Sequence, residues 1–244
     1  TLFNKIDVTF EYFIRKTKDM IYGVAQPWEI GNLGRIDTNI GSMQNKGVEM
    51  AVNYRGKALD DQLNFTIGLT GTIVKNEVLA LDANSNTFIR DGGSRIGNIT
   101  YTTPGHPISQ FYGYVAEGLW KSDADINSVL FTAKGDAKVG RVRFKDLNGD
   151  GQIDSNDETF IGNPIPSFYG GLNISANYKN FDLTLFLNGS YGQKTFNFLK
   201  YFIDFPAFQG NYSTKMLYEA GKTLPVLDNN DNYSPSRSTM YVEN

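Results

Sequence analysis

The residues best placed to do chemistry lie in one run: Asp146-Leu147-Asn148-Gly149-Asp150-Gly151-Gln152-Ile153-Asp154-Ser155-Asn156-Asp157. Hard oxygens recur there at alternate positions, which is how a tight loop supplies the roughly six to eight oxygen ligands of a calcium ion. Asp146, Asn148 and Asp150 would give side-chain oxygens, and Gln152 its backbone carbonyl. Asp154 would act directly or through a water, and Asp157 would close the shell. Gly151 permits the sharp turn, and Ile153 pins the loop to the protein. Asp157 departs from the calcium-loop pattern, which has a longer bidentate Glu there; Glu158, next in sequence, is the substitute. Residues 139–145 read as extended rather than helical, so the run is an EF-like loop in a β context. The competing reading is an Asx/Gly-rich turn without metal. The ion's expected role is structural, because the shell leaves no position for activating a substrate water.

Little else in the chain invites catalysis. Cysteine is absent and His106 is the only histidine, so thiolate chemistry and multi-histidine metal centres are excluded. His106 sits in Pro104-Gly105-His106-Pro107, a turn context. Asp7, Glu11 and Glu49 resemble paired carboxylates but read better as solvated wall residues. Gly31-Asn32-Leu33-Gly34 lacks the lysine and the strand–loop–helix setting of a phosphate loop. Phe111, Tyr112, Tyr114 and Trp120 could stack on sugar rings, though loop core is the better reading. With 23 Lys+Arg against 26 Asp+Glu and no basic stripe, nucleic acid is not an expected partner. The chain is not expected to be an enzyme.

The elements that must hold these residues are β-strands. Residues 5–15, 48–54, 63–73, 168–178 and 181–191 alternate apolar and polar with period two. Most of these runs are near the ~9–11 residues with which a tilted strand crosses hydrocarbon. No stretch is apolar enough for a transmembrane helix, which needs about 18 residues or more. Alternation alone does not separate a membrane barrel from a soluble sandwich, since each buries one face of every strand. The connections separate them better. Residues 55–62 and 179–180 are short links, whereas 23–47, 75–167 and everything after 192 are long. That strict parity is the mark of an up-and-down barrel with short turns at one end and long loops at the other. Tyr54, Tyr178 and Phe181 flank the short turns, where an aromatic girdle belongs. Aromatics make up 14% of the chain, with 17 Phe and 14 Tyr, which suits such girdles. Within the long connections, Ser122-Asp123-Ala124-Asp125 reads as a capping box opening a helix toward Ala133. Phe196, Leu199, Lys200 and Ile203 follow helical spacing, and 213–220 reads as a short helix closed by Gly221.

In family order across nearly the whole chain, the sequence resembles the SusC/RagA-type TonB-dependent transporters of Bacteroidetes outer membranes. The resemblance lies in Arg15-Lys16-Thr17-Lys18-Asp19-Met20-Ile21, Asn39-Ile40-Gly41 and Asn45-Lys46-Gly47-Val48-Glu49. It continues in Lys75-Asn76-Glu77-Val78-Leu79, Gly105-His106-Pro107-Ile108 and Phe111-Tyr112-Gly113-Tyr114. It is strongest from Phe144-Lys145-Asp146-Leu147-Asn148-Gly149-Asp150-Gly151 to Ile161-Gly162-Asn163-Pro164. Pro166, Gly170, Gly171-Leu172-Asn173 and Tyr178-Lys179-Asn180-Phe181-Asp182 complete it.

The resemblance implies an all-β fold: an antiparallel transmembrane barrel of about 22 strands with an N-terminal plug. Of these, residues 1–244 would supply about five strands and belong to one barrel domain. Residues 75–167 would be a long extracellular loop carrying the calcium loop. The plug, the TonB box and the remaining strands would lie outside this chain, which reads as an excerpt. The implied activity is uptake of oligosaccharides or peptides, energised through TonB and shared with a SusD-like surface lipoprotein. The implied location is the outer membrane, with lipid around the barrel and the long loops outside the cell. Two other readings stay open at this point: a structural or docking barrel in an envelope assembly, and a soluble calcium-binding adhesin or glycan-binding module.

Overall fold

The computed structural model describes residues 5–25, 35–81, 89–94, 96–127, 137–204, 210–226 and 237–244. The chain divides into two compact units, the first made of residues 1–89, 102–108 and 165–193, and the second of 90–101, 109–164 and 194–244.

The first unit is built on one antiparallel sheet of five strands, in the order β1 (Ile6–Ala25), β2 (Arg35–Ala58), β3 (Leu63–Ala80), β10 (Phe168–Tyr178) and β11 (Phe181–Tyr191). All five expected strands are present, and β10 and β11 have the expected bounds. The first three run much further than alternation suggested, to 20, 24 and 18 residues. Strand therefore occupies most of 23–47, and only 26–34 remain between β1 and β2. It also occupies 75–80, so the long connection begins after Ala80. The parity of short and long connections survives: residues 59–62 link β2 to β3, and Lys179-Asn180 links β10 to β11. Leu59, Asp60 and Asp61 all adopt positive φ, which lets four residues reverse the chain.

Register turns the alternation into rows that cross the sheet. One face carries Ile6–Tyr54–Ile67–Ile174–Leu185, then Val8–Val52–Leu69–Leu172–Leu187. Above them run Phe10–Met50–Gly71–Gly170–Gly189 and Tyr12–Val48–Ile73–Phe168–Tyr191. Tyr178 and Phe181 pair at the short-turn end and Phe168 and Tyr191 at the other, so aromatics bound this apolar band at both ends. The ten steps of β10 between those ends rise ~33 Å, or ~25 Å at a tilt near 40°, the height of a barrel's lipid-facing band. The side chains of this face are exposed: Phe10 66%, Tyr12 62%, Leu69 51% and Leu187 53%. The opposite face is polar, with rows such as Glu11–Glu49–Thr72–Tyr169–Ser190 and Thr9–Ala51–Thr70–Gly171–Asn188.

Irregularities gather at one end of the sheet. Between Thr17 and Met20 two residues of β1 stand against the single Ser42 of β2, a bulge in which Asp19 takes φ +57°, and the register shifts again between Met20 and Ile21. At the far end of β3, the turn 103–108 folds back on the strand: Gly105 N donates to Val78 O (2.9 Å), and Val78 N donates to His106 O (2.9 Å). Ile108 N donates to Asn76 Oδ1 (2.9 Å), and Ile108 covers buried Val78 and Leu81.

The second unit is a separate small fold. It holds a four-stranded sheet, β4 (Ile89–Ser94), β5 (Gly97–Thr102), β6 (Gln110–Tyr114) and β9 (Glu158–Gly162), and two strand pairs. The pairs are β7 (Ala116–Leu119) with β8 (Val142–Phe144), and β12 (Thr195–Phe196) with β13 (Val242–Glu243). Its core is Leu119, Val142, Phe144 and Tyr241, with Tyr114, Ile153, Phe196 and Met240 packed against them. Thus residues 75–167 do not fold as one insert, because 194–204 and 237–244 supply part of the same core. Helix α1 is described over Asp123–Asn127, while α2 (Lys200–Ile203) and α3 (Met216–Glu219) are shorter than the spacing suggested. Ser122 Oγ accepts from Asp125 N (3.1 Å), as the cap requires. The stretch toward Ala133 lies outside the described residues, and Thr195–Phe196 is strand rather than helix.

Candidate functional site

Strand β8 delivers the chain into the 146–157 turn, and each acidic side chain there is engaged. Asp146 accepts from Gly149 N through Oδ1 (2.6 Å) and from Gly151 N through Oδ2 (2.9 Å). Those amides, Gly151 first, hold its carboxyl below the ordinary aspartate value. Gly149 and Gly151 adopt φ +75° and +79°, which aims both amides inward at little steric cost. Asn148 Oδ1 accepts from Asp150 N (3.0 Å), and Asp150 Oδ1 from Gln152 N (2.8 Å). Asp154 caps the 3-10 turn Ser155–Asp157 by accepting from Asn156 N (2.7 Å).

Asp157 is the keystone, with no exposed surface. Its Oδ1 accepts from Leu147 N (2.7 Å) and its Oδ2 from Asp154 N (2.9 Å), so one carboxylate ties both ends of the turn. Burying that charge is tolerable because backbone donors surround it. Ile153 packs onto the core, as its place in the loop pattern suggests. The six expected ligands, Asp146, Asn148, Asp150, Gln152, Asp154 and Asp157, are therefore gathered in one turn. Their arrangement is that of a loop closed on its own amides. Among the described residues, no three acidic or histidine side chains form a metal-ligand group.

Glu158 is committed elsewhere. It pairs with Arg237 Nη2, and both side chains are largely buried, at 2% and 17% exposure. Arg237 is 79 positions away, and no local pattern in the sequence signals the pairing. The arginine's backbone is held too: Tyr114 N donates to Arg237 O (2.9 Å), and a Cβ on Gly113 would stand 2.4 Å from that oxygen. Tyr114 is pushed up to about 12, by burial first and then by the Glu158 charge. Further along the same segment, Ala116 N donates to Thr239 Oγ1 (2.9 Å), and Tyr241 stacks on Phe196 with ring centroids 5.2 Å apart. Burial raises the Tyr241 hydroxyl as well. Next to it, Glu243 is held below its ordinary value by Lys200 (2.7 Å) and Asn197 (3.1 Å).

The remaining candidates resolve as wall or core. Glu11 and Glu49 are paired across β1 and β2 on the polar face, and Asp7 forms an ion pair with Arg55 (2.7 Å). His106 serves through its backbone in the turn that grips Val78. Phe111 and Trp120 are buried, Tyr112 stacks on Tyr101 at 4.5 Å, and Tyr114 lies 5.2 Å from Phe144. That cluster is loop core rather than an open stacking platform. Gly31-Asn32-Leu33-Gly34 lies outside the described residues.

The polar wall and the apolar band agree with what known proteins show. The family model "TonB dependent receptor-like, beta-barrel" matches residues 2–190. TonB-dependent receptor P3 of Formosa agariphila is 30% identical over 197 residues, covering 80% of this chain and 19% of that protein. TonB-dependent receptor SusC of Bacteroides thetaiotaomicron is 28% identical over 211 residues, covering 84% of this chain and 19% of that protein. The chain thus spans about a fifth of the curated relatives it matches. In fold it superposes on a chain of the RagAB peptide transporter with a TM-score of 0.75 at 21% identity, over 99% of this chain and 25% of that one. Such proteins are receptors and transporters of the outer membrane, not enzymes. The match over 2–190, on a sheet with one lipid-type face and one polar face, places this chain in the TonB-dependent receptor-like β-barrel family.

Proposed function

We propose that this chain is part of the wall and loops of a TonB-dependent active transporter that imports oligosaccharides or peptides together with a SusD-like surface lipoprotein. The observation that carries this reading is the five-stranded sheet. Its outward rows are apolar between two aromatic borders, and its inward rows offer Glu, Asn, Thr, Ser and Tyr to a lumen. In this reading the short turns at 59–62 and 179–180 would face the periplasm, and the long connections the cell exterior. Likeness to the RagAB peptide transporter supports a peptide cargo, and likeness to SusC and RagAB supports a lipoprotein partner. TonB would act through parts of the protein beyond this chain.

The reading includes calcium at 146–157. Asp146, Asn148, Asp150 and Asp154 bring hard side-chain oxygens into one turn, the Gln152 carbonyl would add another, and Asp157 would hold the turn from within. When bound, the ion would stiffen the turn.

The test is uptake by the whole protein in its native cell. Deleting the gene should abolish growth on one class of oligosaccharide or peptide, and restoring the full-length protein should recover it. Removing its TonB box should again abolish growth. Growth and uptake unchanged by deletion on every such cargo would favour the docking-barrel reading. Extraction without detergent would favour the soluble module.

A further inference from the structure

Just beyond the aromatic border of the apolar face, on the end away from the short turns, the register sets Lys46 directly opposite Lys75. Both belong to the outward set. Lys46 follows Val48, Met50 and Val52 along β2, and Lys75 follows Ile73, Gly71 and Leu69 along β3, with no slip of register between them. Ile14, the β1 partner of Lys46, is 54% exposed on the same face. Like charges directly opposite on neighbouring strands repel, so such a pair is unfavourable unless an anion sits with it. Among the described residues of these rows the protein supplies little: Lys75 has a loose partner in Glu77 at 3.8 Å, and the next outward row adds Lys16 beside Gln44. The paired outward charges among them are Lys16, Lys46, Lys75 and Glu77.

Below the lysines the same face has a notch. Gly71, Gly170 and Gly189 are consecutive partners across β3, β10 and β11. Phe168 roofs two of them, since a Cβ would stand 3.3 Å from its ring at Gly71 and 2.8 Å at Gly170. At Gly189 a Cβ would meet nothing within 4 Å. Leu69, Leu172 and Leu187 form the notch floor toward the membrane centre, and Phe168 and Tyr191 its upper rim. Along β3 the order is Lys75, Ile73, Gly71, which sets cationic heads about four residues, ~13 Å, above the notch.

We propose that Lys46 and Lys75, with the Gly71–Gly170–Gly189 notch beneath them, hold a phosphate-bearing membrane lipid. Its phosphate would sit between the two ammonium groups and an acyl chain along the notch. The phosphate relieves the lysine repulsion, and the chain runs beside the Phe168 ring to the open space over Gly189, where a Cβ would meet nothing within 4 Å. The site rests on the barrel reading above and commits to a lipid rather than a free anion.

The experiment uses the full-length protein, extracted with its native lipid and examined by native mass spectrometry. The wild type should retain a phosphorus-containing lipid. K46Q/K75Q should lower its retention about thirtyfold, roughly the contribution of two lysines at an anionic surface. G189L should also lower it severalfold by filling the notch, with the lysines intact. K57Q, on the polar face, should leave retention unchanged. Folding of each variant is checked by heat-modifiable migration; if K46Q/K75Q does not fold, G189L carries the test. Equal retention by wild type and G189L, or by wild type and folded K46Q/K75Q, overturns the site. So does an equal loss in K57Q, which would mean diffuse attraction, or retention of inorganic phosphate in place of lipid. Failure of the barrel reading looks different: the protein would then leave the membrane without detergent, whatever lipid it carried.

Discussion

Phe13 lies over Gly47, its direct partner across β1 and β2, on the polar face of the sheet. A Cβ at Gly47 would stand 2.9 Å from the Phe13 ring and 2.3 Å from Ile73 O on β3, so three strands converge where only hydrogen fits. An aromatic ring covering a neighbouring strand's glycine protects backbone hydrogen bonds that a bare glycine would expose. The device recurs at Phe65 over its partner Gly56. Gly47→Ala should therefore cost about 1–3 kcal/mol, since the obstacle is backbone oxygen that cannot swing away. The readout is the denaturant midpoint of the full-length barrel; Gly189→Ala, with open space, should leave it unchanged.

The two faces of the sheet should respond oppositely to charge. Leu172→Arg falls in the middle apolar row and should destabilise the inserted barrel by ~2–4 kcal/mol. Thr70→Arg, from the adjoining polar row, should change stability little. Unfolding in lipid vesicles measures both. Equal tolerance at the two positions would remove the assignment of lipid and lumen faces.

Asp157 should be the most sensitive position of the 146–157 turn. Asp157→Ala leaves the part-buried amides of Leu147 and Asp154 without their acceptor, at a total cost of ~1–3 kcal/mol, and opens the turn. Limited proteolysis should then cut within 146–157 much faster than in the wild type. Ser155→Ala, on the exposed surface, should not change the rate.

Breaking the Glu158–Arg237 pair should loosen the second unit more than its size suggests. Arg237→Met leaves the Glu158 carboxylate buried without its partner, a loss of about 3–5 kcal/mol. Glu158→Gln/Arg237→Met should recover much of it, because the uncompensated charge is gone. Hydrogen exchange of the Tyr114 amide, which bonds Arg237 O, reports both.

Acid should loosen the turn in a defined direction. Asp146 is held below its ordinary value of 3.8, so its contribution is complete above that pH and is lost as pH falls toward the lowered value. Proteolysis within 146–157 should be flat with pH above 3.8 and rise below it. Asp146→Asn should remove that rise. Calcium, if it enters through Asp146, Asn148 and Asp150, should slow the same cleavage at neutral pH, and Asp150→Ala should abolish the protection.

Sequence alone determined what depends on neighbours a few residues apart. The alternation of Val8, Phe10, Tyr12 and Ile14 marks a strand with an apolar face, and Lys179-Asn180 is too short for anything but a hairpin. The turn at 146–157 was legible for the same reason, since its donors and glycines lie within twelve positions. Only tertiary structure decided what depends on pairing at long range. Beyond Arg15, Arg35–Gly47 and Lys75–Ala80, polar residues hide the strand period, and backbone pairing rather than pattern carries β1–β3 to their full length. Register brought Lys46 to Lys75 and Gly71 to Gly170, and a slip of one residue would have put every such row on the opposite face. Chain return brought Arg237 to Glu158, so a residue that looked free to help bind metal became half of a buried ion pair. Local periodicity is written in adjacent side chains, whereas register and ion pairing are settled by which distant backbones meet.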